Sequence, residues 1–218
     1  MQAVYVFDAY GTLFDVHAAV RKFSGPIGPD ADRLSALWRT KQLEYSWNRA
    51  LSGRYRDFWQ LTEDALRYAF AKVPSAPRDL AGDLLDAYRR LDAYPEVIDV
   101  LAALKRGGAS TAILSNGSPA MLEMAVDAAR IGELLDDVLS VDALATYKPA
   151  PAVYELVTTR FRVFADAVSF QSSNRWDIAG ASAFGFRTVW INRTGEPDEY
   201  ADMPPLATLS SLVGLETI

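Results

Sequence analysis

Val4-Tyr5-Val6-Phe7-Asp8-Ala9-Tyr10-Gly11-Thr12 is the stretch on which the reading of this chain turns. Val4 to Phe7 is a short apolar run of the kind that forms a buried strand. Asp8 follows it directly and a glycine turn comes three residues later. A carboxylate just past a buried strand stands at the carboxyl edge of a parallel sheet, where such folds do their chemistry.

Working outward, residues 15–93 read differently from the rest. Residues 33–51, 55–70 and 80–91 pattern as helices, the first with Leu34, Leu37, Trp38, Leu43, Tyr45 and Trp47 on a broad apolar face. Gly25-Pro26, Gly28-Pro29 and the stretch 74–77 punctuate them. From residue 95 onward helices and strands alternate: helices over 97–104, 119–129, 151–161 and 178–184, and strands over 111–114, 137–141, 167–170 and 188–191. Alternation of this kind predicts an α/β fold with a doubly wound, Rossmann-like parallel sheet. The expected division is a core of residues 1–14 and 94–218 with a helical cap, 15–93, inserted after the first strand.

Bulk properties narrow the function. The chain has 218 residues, half of them hydrophobic, with no cysteine, one histidine (His17) and a net charge of −6. Absence of cysteine excludes disulfides, thiolate metal sites and a cysteine nucleophile, and fits a cytoplasmic location. A lone histidine leaves no histidine metal cluster and no serine–histidine triad. The negative charge argues against nucleic-acid binding. No apolar run is long enough to span a bilayer, and no basic stretch precedes the first one, so neither a membrane partner nor a signal peptide is expected.

Polar residues gather where strands should end: Asp8 and Thr12, Ser115 and Asn116, Lys148, then Ser172, Asn174 and Asp177. Each has an ordinary structural explanation. Asp8 caps a turn, Thr12 and Asp177 cap the helices that follow, Ser115-Asn116-Gly117 makes a strand-to-helix turn, and Arg39 is a snorkelling surface cation. Their convergence at four strand ends favours a site.

Phe7-Asp8-Ala9-Tyr10-Gly11-Thr12-Leu13-Phe14-Asp15, Leu37-Trp38-Arg39, Lys41-Gln42-Leu43-Glu44-Tyr45, Leu114-Ser115-Asn116-Gly117, Tyr147-Lys148-Pro149, Ser172-Ser173-Asn174 and Trp176-Asp177 together resemble the haloacid dehalogenase superfamily. Within it they resemble the L-2-haloacid dehalogenases (type II), over nearly the whole length. The resemblance implies hydrolysis of (S)-2-haloalkanoic acids to (R)-2-hydroxyalkanoic acids and halide. It implies no cofactor, no metal, and a homodimer formed through cap helices. Asp8 would be the nucleophile, oriented by Thr12. Arg39 and Asn116 would receive the halide, and Ser115 the substrate carboxylate. Lys148 would neutralise charge beside Asp8, and Tyr154, Ser172, Asn174 and Asp177 would support Lys148 and the hydrolytic water. Ala9, Tyr10, Leu43, Phe58 and Trp176 would line the pocket.

That chemistry is sound on its own terms. A desolvated carboxylate attacks carbon, the departing halide needs a fixed cation, and a second carboxylate activates water without histidine. Tyr10 stands where the superfamily's phosphatases carry an acid and bind magnesium nearby, which sets a magnesium-dependent phosphatase second. A catalytically idle, carboxylate-binding homologue is a third reading. Thr40, Gln171 and Arg175 depart from the family pattern: a glutamine lining the pocket, an apolar strand residue and a small residue are usual there. Preferred halogen, chain length and cleavage of carbon–fluorine bonds are left open.

Overall fold

The computed structural model describes residues 3–218. Five strands, β1 (Val4–Phe7), β2 (Ser110–Ser115), β3 (Asp137–Ser140), β4 (Val168–Ser172) and β5 (Arg187–Ile191), and a short sixth, β6 (Ala207–Leu209), form one sheet in the order β3-β2-β1-β4-β5-β6. Every neighbouring pair is parallel. Parallel strands covered on both faces must be apolar on both, and Val6, Phe7, Ile113, Leu114, Phe170 and Val189 are fully buried. The α/β doubly wound sheet expected from the alternation is the fold found.

Nine α-helices lie among the described residues. After the sheet's first strand come α1 (Ala18–Arg21), α2 (Ser24–Ile27), α3 (Ala31–Leu51), α4 (Phe58–Lys72) and α5 (Ala81–Arg89). Then α6 (Val97–Arg106), α7 (Pro119–Ala129), α8 (Pro151–Phe161) and α9 (Arg175–Phe184) alternate with strands β2 to β5. None is long and apolar enough to cross a membrane. Strand order reverses between β1 and β4, so Asp8, Ser115 and Ser172 leave the carboxyl edges of three adjacent strands at the topological switch point.

Residues 15–92 carry only α1–α5, short 3-10 turns and loops. They leave and rejoin the sheet-bearing part side by side: Phe14 bridges Ala93, Tyr94 N–H donates to Leu13 O at 2.9 Å, and Asp15 N–H donates to Asp92 O at 3.0 Å. The two long helices of this segment are joined by Trp38, whose indole N–H donates to Thr62 O at 2.9 Å.

Several boundaries differ from the sequence reading, for identifiable reasons. The helix expected from residue 55 begins at Phe58. Asp57 caps it by accepting Gln60 N–H at 3.0 Å, and Tyr55 is spent on a contact with Asp142 instead. The strand expected to stop at Phe170 runs on to Ser172, because Gln171 and Ser172 keep their partners Val189 and Trp190 on β5. The last helix begins at Arg175 rather than Ile178, with Asn174 as its N-cap residue, so Asp177 lies inside the first turn and does not cap it. β6 had no legible pattern: three residues beyond Pro204-Pro205 are too few for any periodicity to show.

Candidate active site

The site is built on the turn after β1. Gly11 adopts φ +95°, which the missing Cβ makes cheap. The turn closes as Ala9 O accepts N–H groups from Thr12, Leu13 and Phe14 at 3.2, 2.9 and 3.0 Å. That curl brings Thr12 back under Asp8: the hydroxyl donates to Asp8 Oδ2 at 3.1 Å and accepts Ser173 N–H at 2.8 Å. From the end of β4, Asn174 Nδ2 donates to the same oxygen at 2.8 Å and Ser172 Oγ approaches it at 3.4 Å. Asp8 N–H donates to Gln171 O at 2.8 Å, so the nucleophile candidate is locked through backbone and both carboxylate oxygens.

The other oxygen, Oδ1, faces Lys148 Nζ at 3.0 Å, and the same ammonium reaches Asp177 Oδ2 at 2.8 Å. Lys148 is essentially buried, as are both carboxylates. Tyr154, from α8, donates to Asp177 Oδ1 at 2.8 Å. Gly180 makes this approach possible: a Cβ there would lie 2.5 Å from Pro149 Cβ and 2.6 Å from Tyr154 Oη.

Burial alone would pull the Lys148 ammonium down, but the charges of Asp177 and Asp8 outweigh it and hold the group above the ordinary lysine value. Burial pushes Asp177 up, Lys148 opposes, Asp8 adds to the rise, and the net direction is above the ordinary aspartate value. Lys148 therefore stays charged while Asp177 is a stronger base than a surface aspartate. Desolvation likewise pushes the Tyr10 and Tyr154 phenols up, which keeps both neutral donors.

Arg39 comes from α3 and spans the gap between the helical segment and the turn. It donates to Gln42 Oε1 at 2.8 Å, to Tyr10 O at 3.1 Å and to Asn174 Oδ1 at 3.4 Å. Its guanidinium is directed at the turn after β1 and at Asn174, not outward into solvent. Asn116 is fixed by accepting Lys148 N–H at 3.0 Å, leaving its amide hydrogens for another partner. Ser115 is fully buried and its Oγ accepts Gly117 N–H at 3.1 Å. Ser172 and Asn174 contact Asp8 rather than Lys148, whereas Asp177 contacts Lys148 directly and Tyr154 does so through Asp177.

Of the wall residues, Tyr10 stacks on Tyr88 (5.7 Å, 11°) and lies near Phe58 at 6.3 Å. A Cβ at residue 117 would fall 2.8 Å from the Tyr10 ring, so the glycine of Ser115-Asn116-Gly117 makes room for it. Leu43 lies one turn past Arg39 on the same helix face. Trp176 meets Trp47 edge-on at 5.3 Å and lines an apolar cavity of about 510 Å³ with Leu51, Tyr147 and Tyr200. Thr40 is exposed on α3. Arg175 is turned away from the catalytic groups, bound to Asp198 at 2.6 Å and to the carbonyls of Tyr200 and Met203. The sequence reading gave no role to Gln42 or Tyr88. Gln42 stood inside a quoted motif, but only the fold shows that it touches Arg39.

The chain is similar to known proteins over most of its length. The family model described as haloacid dehalogenase-like hydrolase matches residues 3–185. (S)-2-haloacid dehalogenase 1 of Pseudomonas sp. (strain CBS-3) is 53% identical over 208 residues, covering 95% of this chain and 92% of its own. A crystal structure of a dehalogenase with an intermediate complex superposes with TM-score 0.97 at 45% identity, over 99% of this chain and 96% of that one. The L-2-haloacid dehalogenase of Xanthobacter autotrophicus with chloropropionic acid covalently bound superposes with TM-score 0.89 at 36% identity, over 100% and 98%.

Proposed function

The chain belongs to the haloacid dehalogenase-like hydrolases, and from that premise we propose that it hydrolyses (S)-2-haloalkanoic acids, haloacetates included, to (R)-2-hydroxyalkanoic acids. One observation carries the reading: the Lys148 ammonium lies between two buried carboxylates, 3.0 Å from Asp8 and 2.8 Å from Asp177, while Arg39 faces the same turn from the opposite segment. Two carboxylates sharing one cation divide the work, one as nucleophile and one as base.

An Asp8 oxygen bonds to carbon 2 from the face opposite the halogen. The carbon–halogen pair leaves with the halide, which Arg39 and the free amide of Asn116 receive. Configuration inverts. Lys148 balances the charge that Asp8 brings into a dry site. Thr12, Ser172 and Asn174 keep the carboxylate plane in one orientation, which is worth rate because misaimed conformers are excluded. Ser115 and Ala9 hold the substrate carboxylate, and Tyr10, Leu43, Phe58 and Trp176 surround the alkyl part. Water then attacks the carboxyl carbon of Asp8. Asp177 takes one water proton and passes it to the departing ester oxygen, which leaves as the hydroxyl of the product; the second water proton is lost to solvent, and Asp8 and Asp177 are both restored as carboxylates.

Residues 15–93 act as a cap over the core of residues 1–14 and 94–218; the paired crossing at Phe14 and Ala93 supports that division. The protein acts as a homodimer through its cap helices, as the resemblance to the L-2-haloacid dehalogenases implies. The absence of cysteine supports a cytoplasmic location. A phosphatase reading is disfavoured because Tyr10, where an acid would stand, is packed between Tyr88 and Gly117.

The test is one turnover in oxygen-18 water with enzyme in excess. Label is expected in the peptide containing Asp8, with an unlabelled product hydroxyl. Labelled product beside unlabelled Asp8 would overturn the nucleophilic role even if halide were released.

A further inference from the structure

Gln42 is almost completely buried in the helical segment, yet no step above uses it. A buried primary amide must place its donors and its acceptor correctly or lose stability. Here the orientation is dictated. Thr62 Oγ1 donates to Phe58 O at 2.7 Å, so toward Gln42 it can only accept, and it takes Nε2–H at 2.7 Å. Gln42 Oε1 is thereby turned to the other side, where Arg39 Nη1 donates to it at 2.8 Å. Tyr88 Oη lies against the same amide, 3.1 Å from Nε2 and 3.2 Å from Oε1, and its ring stacks on Tyr10. The result is a directed row, Arg39 to Gln42 to Thr62 to the Phe58 carbonyl, anchored on the first turn of α4.

The charge count along that row matters as much as the aim. All three acceptors of Arg39, which are Gln42 Oε1, Tyr10 O and Asn174 Oδ1, are neutral. A guanidinium held by neutral oxygens is positioned without being neutralised, whereas one held by a carboxylate would present little net charge to an incoming anion. We propose that Gln42 is a positioning residue for halide release: it holds Arg39 on target through an uncharged acceptor, leaving the cation free to bind the departing halide.

This rests on the reading of Arg39 as the halide acceptor, so the experiment separates the two. Bromide inhibition of (S)-2-chloropropionate turnover is measured for the wild type, Arg39→Lys, Gln42→Glu, Gln42→Met and Tyr88→Phe, with circular dichroism to confirm folding. Gln42→Glu supplies an acceptor of the same length but the wrong charge, and its oxygen cannot donate to Thr62. The inhibitory bromide concentration should rise about tenfold or more, with kcat falling and KM moving less. Gln42→Met, which leaves Nη1 without its partner, should shift bromide inhibition in the same direction by about threefold to tenfold. A purely structural role would lower the folded fraction but not the bromide response of the enzyme that remains folded. Should both Gln42 variants fail to fold, Tyr88→Phe carries the same test, with a smaller shift of the same sign. Unchanged bromide inhibition in the folded variants, with Arg39→Lys impaired, overturns the role of Gln42. Normal bromide inhibition in Arg39→Lys overturns the reading of Arg39 instead.

Discussion

Lys148 lies where two negative charges would otherwise repel at close range in a dry pocket. Its ammonium makes one direct bond to each carboxylate, and burial of all three groups leaves little solvent to screen them. The two upward shifts have a consequence for pH. In the proposed mechanism Asp177 must be deprotonated to take the proton of the hydrolytic water, and its burial raises it above the ordinary value of 3.8. Lys148 must stay protonated, and the two carboxylates raise it above the ordinary 10.5. Turnover of (S)-2-chloropropionate should therefore rise with pH through a midpoint above 3.8, then hold level until the pH passes the ordinary lysine value. A steady-state kcat profile checks this. An acidic limb centred below 3.8 would mean that a group other than Asp177 takes the proton.

At the level of the elements, two positions bear on how β4 and α9 carry the site. Gln171 lies in the middle of β4 with its side chain fully buried. Its amide nitrogen donates to Ser169 Oγ at 2.6 Å, and its Oε1 has no partner among the described residues. An unpaired buried carbonyl costs stability, so Gln171→Leu should stabilise the protein by about 1 kcal/mol in urea unfolding. Activity should be kept, since Asp8 is held by the backbone oxygen of residue 171. Gly180 gives the opposite case. In Gly180→Ala the added methyl would overlap Pro149 and Tyr154, at 2.5 and 2.6 Å. Backbone must shift on one side, and the loop bearing Lys148 or the helix bearing Asp177 moves with it. A loss of about 1–3 kcal/mol in stability is expected, together with a fall in kcat larger than the change in KM. Thermal unfolding and initial-rate kinetics would register both.

For the molecule as a whole, the proposed reaction depends on two segments meeting. The sheet-bearing part supplies Asp8, Lys148, Asn174 and Asp177, and the helical segment supplies Arg39 with its Gln42 support. No three histidine, aspartate or glutamate side chains converge as a metal-holding group among the described residues, and the point between the two central carboxylates belongs to Lys148. Halide release should accordingly be unaffected by dialysis against a chelator and unresponsive to added magnesium. Loss of activity in chelator with recovery on magnesium would contradict that assignment.

How much was readable beforehand follows from the range of the forces involved. The sheet, the alternation and the position of Asp8 at a strand end were legible because burial on both faces writes itself into consecutive residues, as Val4-Tyr5-Val6-Phe7 and Thr111-Ala112-Ile113-Leu114 show. Candidate residues at the strand ends could be listed because short motifs surround most of them. Helix ends were read less well: the last helix was expected from Ile178 and begins at Arg175, and capping stayed a rival reading of Asp177, since an aspartate before an apolar run has the same local signature whether it caps a turn or binds a lysine 29 residues away. What only the tertiary structure decided were contacts between residues far apart in the chain. Arg39 meets Tyr10 and Asn174, Tyr88 stacks on Tyr10, Gly180 makes room for Tyr154, and Gln42 takes its orientation from Thr62. Local sequence determined which residues repeat with the period of a strand or helix. The neighbours of each polar group were set by packing, because a buried donor or acceptor takes whatever partner the fold brings within reach.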